Sequence, residues 1–275
     1  MAGIDRQRVQ QAFTLQAGEY DTHATVQKRV IARLADLLRA APDKPRWVLD
    51  IGSGTGRLLR EAHRIYPEAE LVGLDLAFGM SVTARANLAA HPIAGMLSGD
   101  AEALPFGCHT FDLVLSSSTF QWLESLERAF AEASRVVAPG GRFVFAMFGG
   151  ATLRELRSSY RKAWGLPGGD GDGRTHTFQS RAAVRRELER AGFTKVRVWS
   201  ETEMEYHPDV PALIRSLKRI GAGNTLPVRS RGLAERRIML DMMDIYRRRY
   251  AVEGLIPATY EVIYGEARKC SEQDR

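Results

Sequence analysis

Cysteine is scarce in this chain of 275 residues: Cys108 and Cys270 are its two cysteines, and they form no CxxC pair. Two cysteines so far apart argue against a disulfide framework and against a zinc site. The chain also has no apolar run near the roughly 18 residues that a membrane-spanning helix needs. Its first residues, MAGIDRQRVQQAF, lack the apolar core of a signal peptide. We therefore expect a cytoplasmic protein that binds neither a membrane nor a metal.

Acidic residues are outnumbered by basic ones, but only in one part of the chain. The formal net charge is +6. Residues 1–150 are nearly balanced, at −1, whereas residues 151–275 carry +7. A one-sided basic surface indicates an acidic partner, such as a nucleic acid, an anionic lipid or an acidic protein. Arginine-rich helices that are merely solvated give the same composition, so charge alone leaves the partner open.

Short apolar strands alternate with helical stretches between residues 45 and 148. Alternation of this kind is typical of a parallel sheet with helices on both faces. Five strands are predicted there, and two late strands follow, with a helical insertion between them at about 208–250. We predict an α/β fold with a doubly wound, mostly parallel seven-stranded sheet. Its divisions are a helical segment at 1–44, a core at 45–150 and the rest of the sheet at 151–275.

Local signals mark several element ends. Pro67 is expected to stop the first core helix, which contains RLLREAHRIYP. Ser180 can cap the helix RAAVRRELERAG, which is expected to end at Gly192. The PGG sequence at 139–141 predicts a turn before the fifth strand.

A glycine-rich loop follows the first apolar strand, in VLDIGSGTG. Gly52, Gly54 and Gly56 remove side chains where a ligand could lie against the backbone, and the helix that follows offers free N–H groups. The dinucleotide fingerprint G-x-G-x-x-G/A fails because Arg57 occupies the third glycine position, and the Gly-Lys-Ser/Thr of a phosphate-binding P-loop is absent. Of the common ligands of such loops, S-adenosylmethionine remains.

Acids end each of the first three predicted strands: Asp50, Asp75 and Asp100. Asp75 lies where a carboxylate would hold a ribose diol, and Asp100 can accept a hydrogen bond from an adenine amino group. Each acid alone could be a helix cap or a turn residue. Together with the glycine loop, the three acids predict one binding cleft at the strand ends. Its negative charge suits a sulfonium cofactor better than a pyrophosphate.

Five segments in fixed order carry a family resemblance: VLDIGSGTG, LVGLD, GDAEALPF, FDLVLSSSTFQW and VVAPGGRFVFAMFG. They resemble the motifs of class I S-adenosylmethionine-dependent methyltransferases, which have a Rossmann-like fold. The resemblance implies that Asp50 and the glycines hold the methionine end of S-adenosylmethionine, that Asp75 binds the ribose, and that Asp100 and Ala101 read the adenine edge. The residues implied as cofactor contacts are Asp50, Gly52, Ser53, Gly54, Gly56, Asp75, Leu76, Met80, Asp100, Ala101, Glu102 and Ser116.

The flanking segments resemble one family within that class. FTLQAGEYDTHATVQ, STFQW, SLKRIGAGN and LIPATYEVIYGEA are similar to segments of the malonyl-acyl carrier protein O-methyltransferases of biotin synthesis. The resemblance implies methylation of the free carboxylate of a malonyl thioester, held on the phosphopantetheine arm of an acidic acyl carrier protein. It also implies that the helical segment 1–44 covers the cofactor site.

The resemblance implies substrate-site residues as well. Those named for catalysis are Tyr20, Gln121, Trp122 and Lys218, with Arg215 and Arg219 as alternatives to Lys218. His23 and Gln27 are candidates to close the N-terminal segment over the cofactor. A carboxylate with a pKa near 4 is already ionised at pH 7, so the reaction needs no general base.

Other functions stay open at this point. A related small-carboxylate O-methyltransferase, a quinone C-methyltransferase and a cofactor-binding module without catalysis would share the same core. A nucleic-acid methyltransferase is disfavoured, because SSST follows the fourth strand where an Asn/Asp-Pro-Pro-aromatic sequence would be needed.

Overall fold

One seven-stranded sheet organises the fold, in a computed structural model that describes residues 5–166, 177–225 and 233–271. Its strands are β1 (Trp47–Ile51), β2 (Glu70–Asp75), β3 (Gly95–Ser98), β4 (Phe111–Ser117), β5 (Val137–Phe148), β6 (Phe193–His207) and β7 (Ile256–Lys269). The order across the sheet is β3-β2-β1-β4-β5-β7-β6. The first five strands are parallel, and β7 is antiparallel to both β5 and β6. This confirms the predicted mostly parallel sheet.

Helices cover both faces of the sheet. Within the described residues they are α1 (Arg6–Gln16), α2 (Tyr20–His23), α3 (Thr25–Arg39), α4 (Arg57–Ile65), α5 (Phe78–Asn87), α6 (Leu126–Val136), α7 (Arg154–Ala163), α8 (Arg181–Arg190), α9 (Val210–Arg219) and α10 (Leu233–Tyr250). One buried cluster includes side chains of α3, α4, α7, α9 and α10, and a second includes side chains of α6 and α8. Leu113, Val114 and Leu115 of β4 alternate between the two clusters, as neighbours on a strand must. The sheet is therefore doubly wound.

Most of the predicted element ends are confirmed. Helix α4 ends at Ile65, before Pro67, and the Ser180 hydroxyl caps α8 by accepting the N–H of Ala183 at 3.2 Å. The predicted turn at PGG is wrong, because β5 continues through these residues. The register between β4 and β5 shifts there, and Gly140 has a positive φ of 76°, so the glycines form a bulge inside the strand.

The helical insertion predicted at about 208–250 corresponds to α9 and α10, which lie between β6 and β7. Residues 226–232 of this insertion lie outside the described residues. Within the described ranges, no helix combines the length and the apolar character needed to cross a membrane. The order of the strands reverses at β1, which pairs with both β2 and β4. Open parallel sheets bind ligands at such a switch point, beyond the carboxyl ends of the strands.

Candidate active site

The glycine loop after β1 combines close packing with open space. Gly54 has a φ of 55°, and a Cβ at this residue would have nothing within 4 Å. Gly56 has a φ of 82°, and a Cβ there would lie 2.7 Å from the side chain of Leu88. A Cβ at Gly52 would collide with the side chain of Thr119. Gly54 therefore faces space that a ligand can fill. At positions 52 and 56 glycine is needed because the neighbouring side chains leave no room for a Cβ.

Asp50, immediately before this loop, is a buried carboxylate. Neither of its oxygens accepts a hydrogen bond from the described residues, and the hydroxyl of Ser53 is likewise unpaired there. Burial, helped by the charge of Asp75, raises the pKa of Asp50 well above its usual range. Asp50 and Ser53 line a loop cavity whose walls also include Tyr20 and Gln27. Because an unpaired buried carboxylate is costly, this cavity fits a ligand that carries a cationic group such as an ammonium.

Asp75, at the end of β2, ties the glycine loop to the next strand end. Its carboxylate accepts the N–H of Gly54 at 2.8 Å and the N–H of Ala77 at 2.7 Å. Burial raises the pKa of Asp75, although these two donors oppose the shift. Asp75 lines a strand-end cavity with Leu76, Met80, Asp100 and Ala101. The structure thus brings the residues predicted to bind ribose and adenine to one edge of the sheet.

Helix α1 covers the strand-end cavity, and the sequence did not single out the residues that do so. Gln10 and Phe13 line the cavity. The side-chain amide of Gln10 donates to the carbonyl oxygen of Leu76 at 2.8 Å. Arg6 forms an ion pair with Asp100, with 2.6 Å between nitrogen and oxygen. Two polar contacts therefore hold this helix against the ends of β2 and β3.

An apolar cavity adjoins the other two, and Tyr20 is a wall of all three. Its walls include Phe13, Gln27, Phe148, Phe178, Leu217 and Tyr260. Neither the Tyr20 hydroxyl nor the Gln27 amide forms a hydrogen bond to the described residues. Burial raises the pKa of Tyr20, so its hydroxyl stays protonated and can donate. His23 lies apart from these walls, 3.8 Å from the carboxylate of Glu19.

Gln121 and Trp122 belong to a short 3-10 turn after β4. Trp122 lines both the strand-end and the apolar cavity, and its ring meets that of Phe13 edge-on, with 5.7 Å between centroids. Gln121 also lines the apolar cavity, but its amide bonds to the backbone. Its nitrogen donates to the carbonyl of Ser118 at 2.5 Å, and its oxygen accepts the N–H of Phe148 at 3.3 Å. Gln121 thus fixes the shape of the wall that Trp122 completes.

The basic residues predicted to hold a substrate carboxylate lie on the outer side of α9. Lys218, Arg215 and Arg219 are exposed, whereas Leu217 of the same helix and Ile220, the residue that follows the helix, line the apolar cavity. Spacing of three residues places Leu217 and Ile220 on one face of a helix. Among the described residues, the walls of the apolar cavity include neither lysine nor arginine.

Three residues predicted to contact the cofactor line none of these cavities: Gly56, Glu102 and Ser116. The carboxylate of Glu102 accepts the N–H of Glu124 at 2.9 Å. The hydroxyl of Ser116 donates to the carbonyl oxygen of Ile51 at 2.7 Å. Their polar groups are used by the fold, so a cofactor contact for them stays a prediction without support from the geometry.

Known proteins resemble this chain over nearly its whole length. A family model described as a methyltransferase domain matches residues 49–145, the segment that holds the glycine loop and the three strand-end acids. A malonyl-[acyl-carrier protein] O-methyltransferase of Geobacter sulfurreducens is 52% identical, over 97% of this chain and 100% of its own length. A protein of the same name from Methylococcus capsulatus is 37% identical, over 92% of this chain and 90% of its own.

Solved structures share the fold. Phosphoethanolamine N-methyltransferase 2 of Haemonchus contortus, in complex with S-adenosyl-L-methionine, matches with a TM-score of 0.53 at 17% identity. The match covers 92% of this chain and 53% of that one. Likeness at this level extends to the fold alone, whereas the relative from Geobacter sulfurreducens matches at 52% identity over its full length. This chain therefore belongs to the malonyl-[acyl-carrier protein] O-methyltransferase family.

Proposed function

We propose that the protein transfers the methyl group of S-adenosylmethionine to the free carboxylate of a malonyl thioester on an acyl carrier protein. The ester that results would begin the acyl chain used for biotin synthesis. The observation that carries the proposal is the meeting of three cavities at Tyr20. Two of them are lined by acids at strand ends, and the third is apolar with neutral hydrogen-bond donors.

The residues of the first two cavities fit the cofactor. When bound, S-adenosylmethionine supplies a methyl group made electrophilic by a sulfonium cation. Asp50 is buried and unpaired among the described residues, which suits the amino group of the methionine end. We assign Asp75 to the ribose hydroxyls and Asp100 to the adenine edge, because both line the strand-end cavity. Met80, buried at the same cavity, provides apolar contact for the base.

The apolar cavity fits an acceptor that is already a nucleophile. A malonyl carboxylate has a pKa near 4, so it is ionised at pH 7 and needs no general base. Among the described walls of the three cavities there is neither histidine nor cysteine. The work left to the chain is to hold one carboxylate oxygen in line with the methyl group and to exclude water.

Neutral donors suit this task better than a cation does. A lysine or arginine bound to the carboxylate would withdraw charge from the attacking oxygen. We assign the Tyr20 hydroxyl and the Gln27 amide as donors to the carboxylate, since both are cavity walls without hydrogen-bond partners in the described chain. Phe13 and Trp122 line both the strand-end and the apolar cavity, and we assign their rings to the exclusion of water from the space between the cofactor and the acceptor.

The test is a methyl-transfer assay with intact-mass detection. The purified protein is incubated with S-adenosylmethionine and malonyl-acyl carrier protein, with acetyl- and succinyl-acyl carrier protein, free diacids and a quinone precursor in parallel. We expect the mass of one methyl group to be added to the malonyl form. Methylation of the acetyl form would contradict attack by a carboxylate, and methylation of only the quinone precursor would replace the proposed acceptor.

A further inference from the structure

Lys28 of α3 is a cation at the wall of the loop cavity, and the roles assigned so far do not use it. The walls that α3 contributes to this cavity are Ala24, Gln27, Lys28 and Ile31. Residues three and four positions apart lie on one face of a helix, so one face of α3 borders the glycine loop. Lys28 is half-buried on this face, with wall residues one turn before it and one turn after it.

The ammonium of Lys28 has neither a hydrogen bond nor an ion pair with another described residue. The carboxylate of Asp50 and the hydroxyl of Ser53, which border the same cavity, are also unpaired in that part of the chain. Asp50 is 1% exposed and Ser53 is 6% exposed, so water does little to satisfy either group. One cavity therefore lies beside an acid and a cation that are not paired with each other.

Two further charged residues line the loop cavity, Asp21 and Arg57. The carboxylate of Asp21 already accepts the hydroxyl of Thr55, at 2.9 Å. Arg57 is the first residue of α4, and among the described walls this helix adds only its neighbour Leu58. Arg57 therefore lies at the edge of the cavity, whereas Lys28 has wall residues on both sides along α3. Of the two cations, Lys28 is the better placed to bind an anion in this cavity.

An unpaired acid and an unpaired cation at one cavity fit a zwitterion. The methionine end of S-adenosylmethionine has an ammonium and a carboxylate on the same carbon, and Asp50 is assigned to the ammonium. We propose that Lys28 binds the carboxylate, with the Ser53 hydroxyl as a second donor, and that Lys28 thereby selects S-adenosylmethionine over its decarboxylated form. A hydrogen bond between two charged groups is stronger than one between neutral groups. This inference rests on the cofactor assigned under the proposed function and does not depend on the acceptor.

The test compares the binding of S-adenosylmethionine with that of decarboxylated S-adenosylmethionine, which keeps the amino group, the sulfonium, the ribose and the adenine. Calorimetric titration of the wild-type protein is expected to give about tenfold tighter binding of the intact compound, the size of one charge-assisted hydrogen bond. Lys28→Met, which keeps the side-chain length but has no donor, is expected to reduce this ratio to near unity. Lys28→Arg is expected to retain it. Arg57→Met, which removes the other cation of the cavity wall, is the matched control and is expected to keep the wild-type ratio.

S-adenosylhomocysteine separates the effect on the carboxylate from any effect on the sulfonium charge. It has the same amino-acid end as S-adenosylmethionine but a neutral sulfur. We therefore expect Lys28→Met to weaken the binding of both compounds by a similar factor of about ten. Thermal unfolding checks that each variant is folded. An unchanged affinity of folded Lys28→Met for S-adenosylhomocysteine would overturn the assignment.

The outcomes separate Lys28 from the proposed function. Equal affinity of the wild type for S-adenosylmethionine and its decarboxylated form would overturn the role of Lys28, whether or not any variant folds. An equal loss of selectivity in Lys28→Met and Arg57→Met would also overturn it, because positive charge in general would then explain the selectivity. A wild-type protein that does not bind S-adenosylmethionine would overturn the proposed function itself. Selective binding without methylation of any thioester would overturn only the proposed acceptor and would still support Lys28.

Discussion

Asp50 and Asp75 are neighbouring carboxylates with different surroundings. Asp75 accepts two backbone N–H groups, whereas neither oxygen of Asp50 accepts a hydrogen bond from the described residues. The pattern of acids at strand ends located both, because the carboxyl ends of parallel strands share one edge. It could not show that Gly56 packs on Leu88, since contacts between residues so far apart in sequence depend on tertiary packing.

The pH dependence of stability tests the state of Asp50. A folded-state pKa raised by burial favours the protonated acid, so its contribution is fully present below the ordinary pKa near 3.9 and is lost as pH rises toward the raised value. Without cofactor, we expect Asp50→Asn to be more stable than the wild type at pH 8, by about 1–3 kcal/mol, and similar to it near pH 4. Denaturant unfolding at both pH values measures this difference.

The same variant should bind S-adenosylmethionine at least about tenfold more weakly, because an amide cannot balance a cation. Calorimetric titration gives the dissociation constant. Higher stability of the wild type at pH 8, or unchanged cofactor affinity in Asp50→Asn, would show that the carboxylate has another role.

At the scale of elements, the spacing of apolar residues identified the helices that pack on the sheet. It did not identify which residues of a helix face a ligand cavity. Helix α9 is amphipathic, and its basic residues, including Lys218, suggested a substrate-facing role. In the structure Leu217 and the residue that follows the helix, Ile220, line the apolar cavity instead. Val9 is the one buried residue of helix α1, so no apolar stripe in the sequence indicated where this helix packs. Its orientation depends on contacts such as that of Gln10 with β2, which no local pattern encodes.

The contact of Gln10 gives a test of α1 as a cover. We expect Gln10→Ala to raise the dissociation constant for S-adenosylmethionine by about two- to tenfold, because a single hydrogen bond that holds the helix is lost. Gln11→Ala is the matched control, since Gln11 is exposed on the same helix. Calorimetric titration of both variants makes the comparison, and equal affinities would mean that α1 does not stabilise the bound cofactor.

At the scale of the whole molecule, an ion cluster joins distant parts of the chain. Asp43, before β1, pairs with Arg142 of β5 and, at 2.8 Å, with Arg268 of β7. Glu266 of β7 accepts from Arg142 at 3.0 Å and from Arg197 of β6 at 3.1 Å. Partners separated by 99 and 225 positions could not be paired from sequence. The apolar runs predicted that the strands exist. The order of the strands in the sheet, which brings these charged residues together, could not be predicted from them.

This cluster predicts a stability change far from the candidate site. Burial opposes ionisation of Asp43, but hydrogen bonds from Arg268 and Arg142 prevail and lower its pKa, so its contribution is present above the ordinary value and is lost as pH falls through the lowered one. We expect Asp43→Asn to lower the free energy of unfolding by about 2 kcal/mol at pH 7, since Arg142 is left buried without this partner. The loss should shrink as pH falls below the ordinary pKa.

Denaturant unfolding measures this effect, with Asp36→Asn as the control. Asp36 forms an exposed pair with Arg39, and such pairs contribute little. Equal losses in the two variants would contradict a special role for the buried cluster.

Tyr20 forms part of the wall of the strand-end, loop and apolar cavities. A shift of its ring caused by a ligand on one side changes the space and the hydroxyl available to a ligand on the other. Thermodynamic linkage makes any such effect reciprocal: a methyl donor that alters the affinity for the acceptor by some factor has its own affinity altered by the same factor. If a ligand on one side shifts this phenol side chain, the two binding equilibria are coupled, and the first substrate to bind changes the affinity for the second.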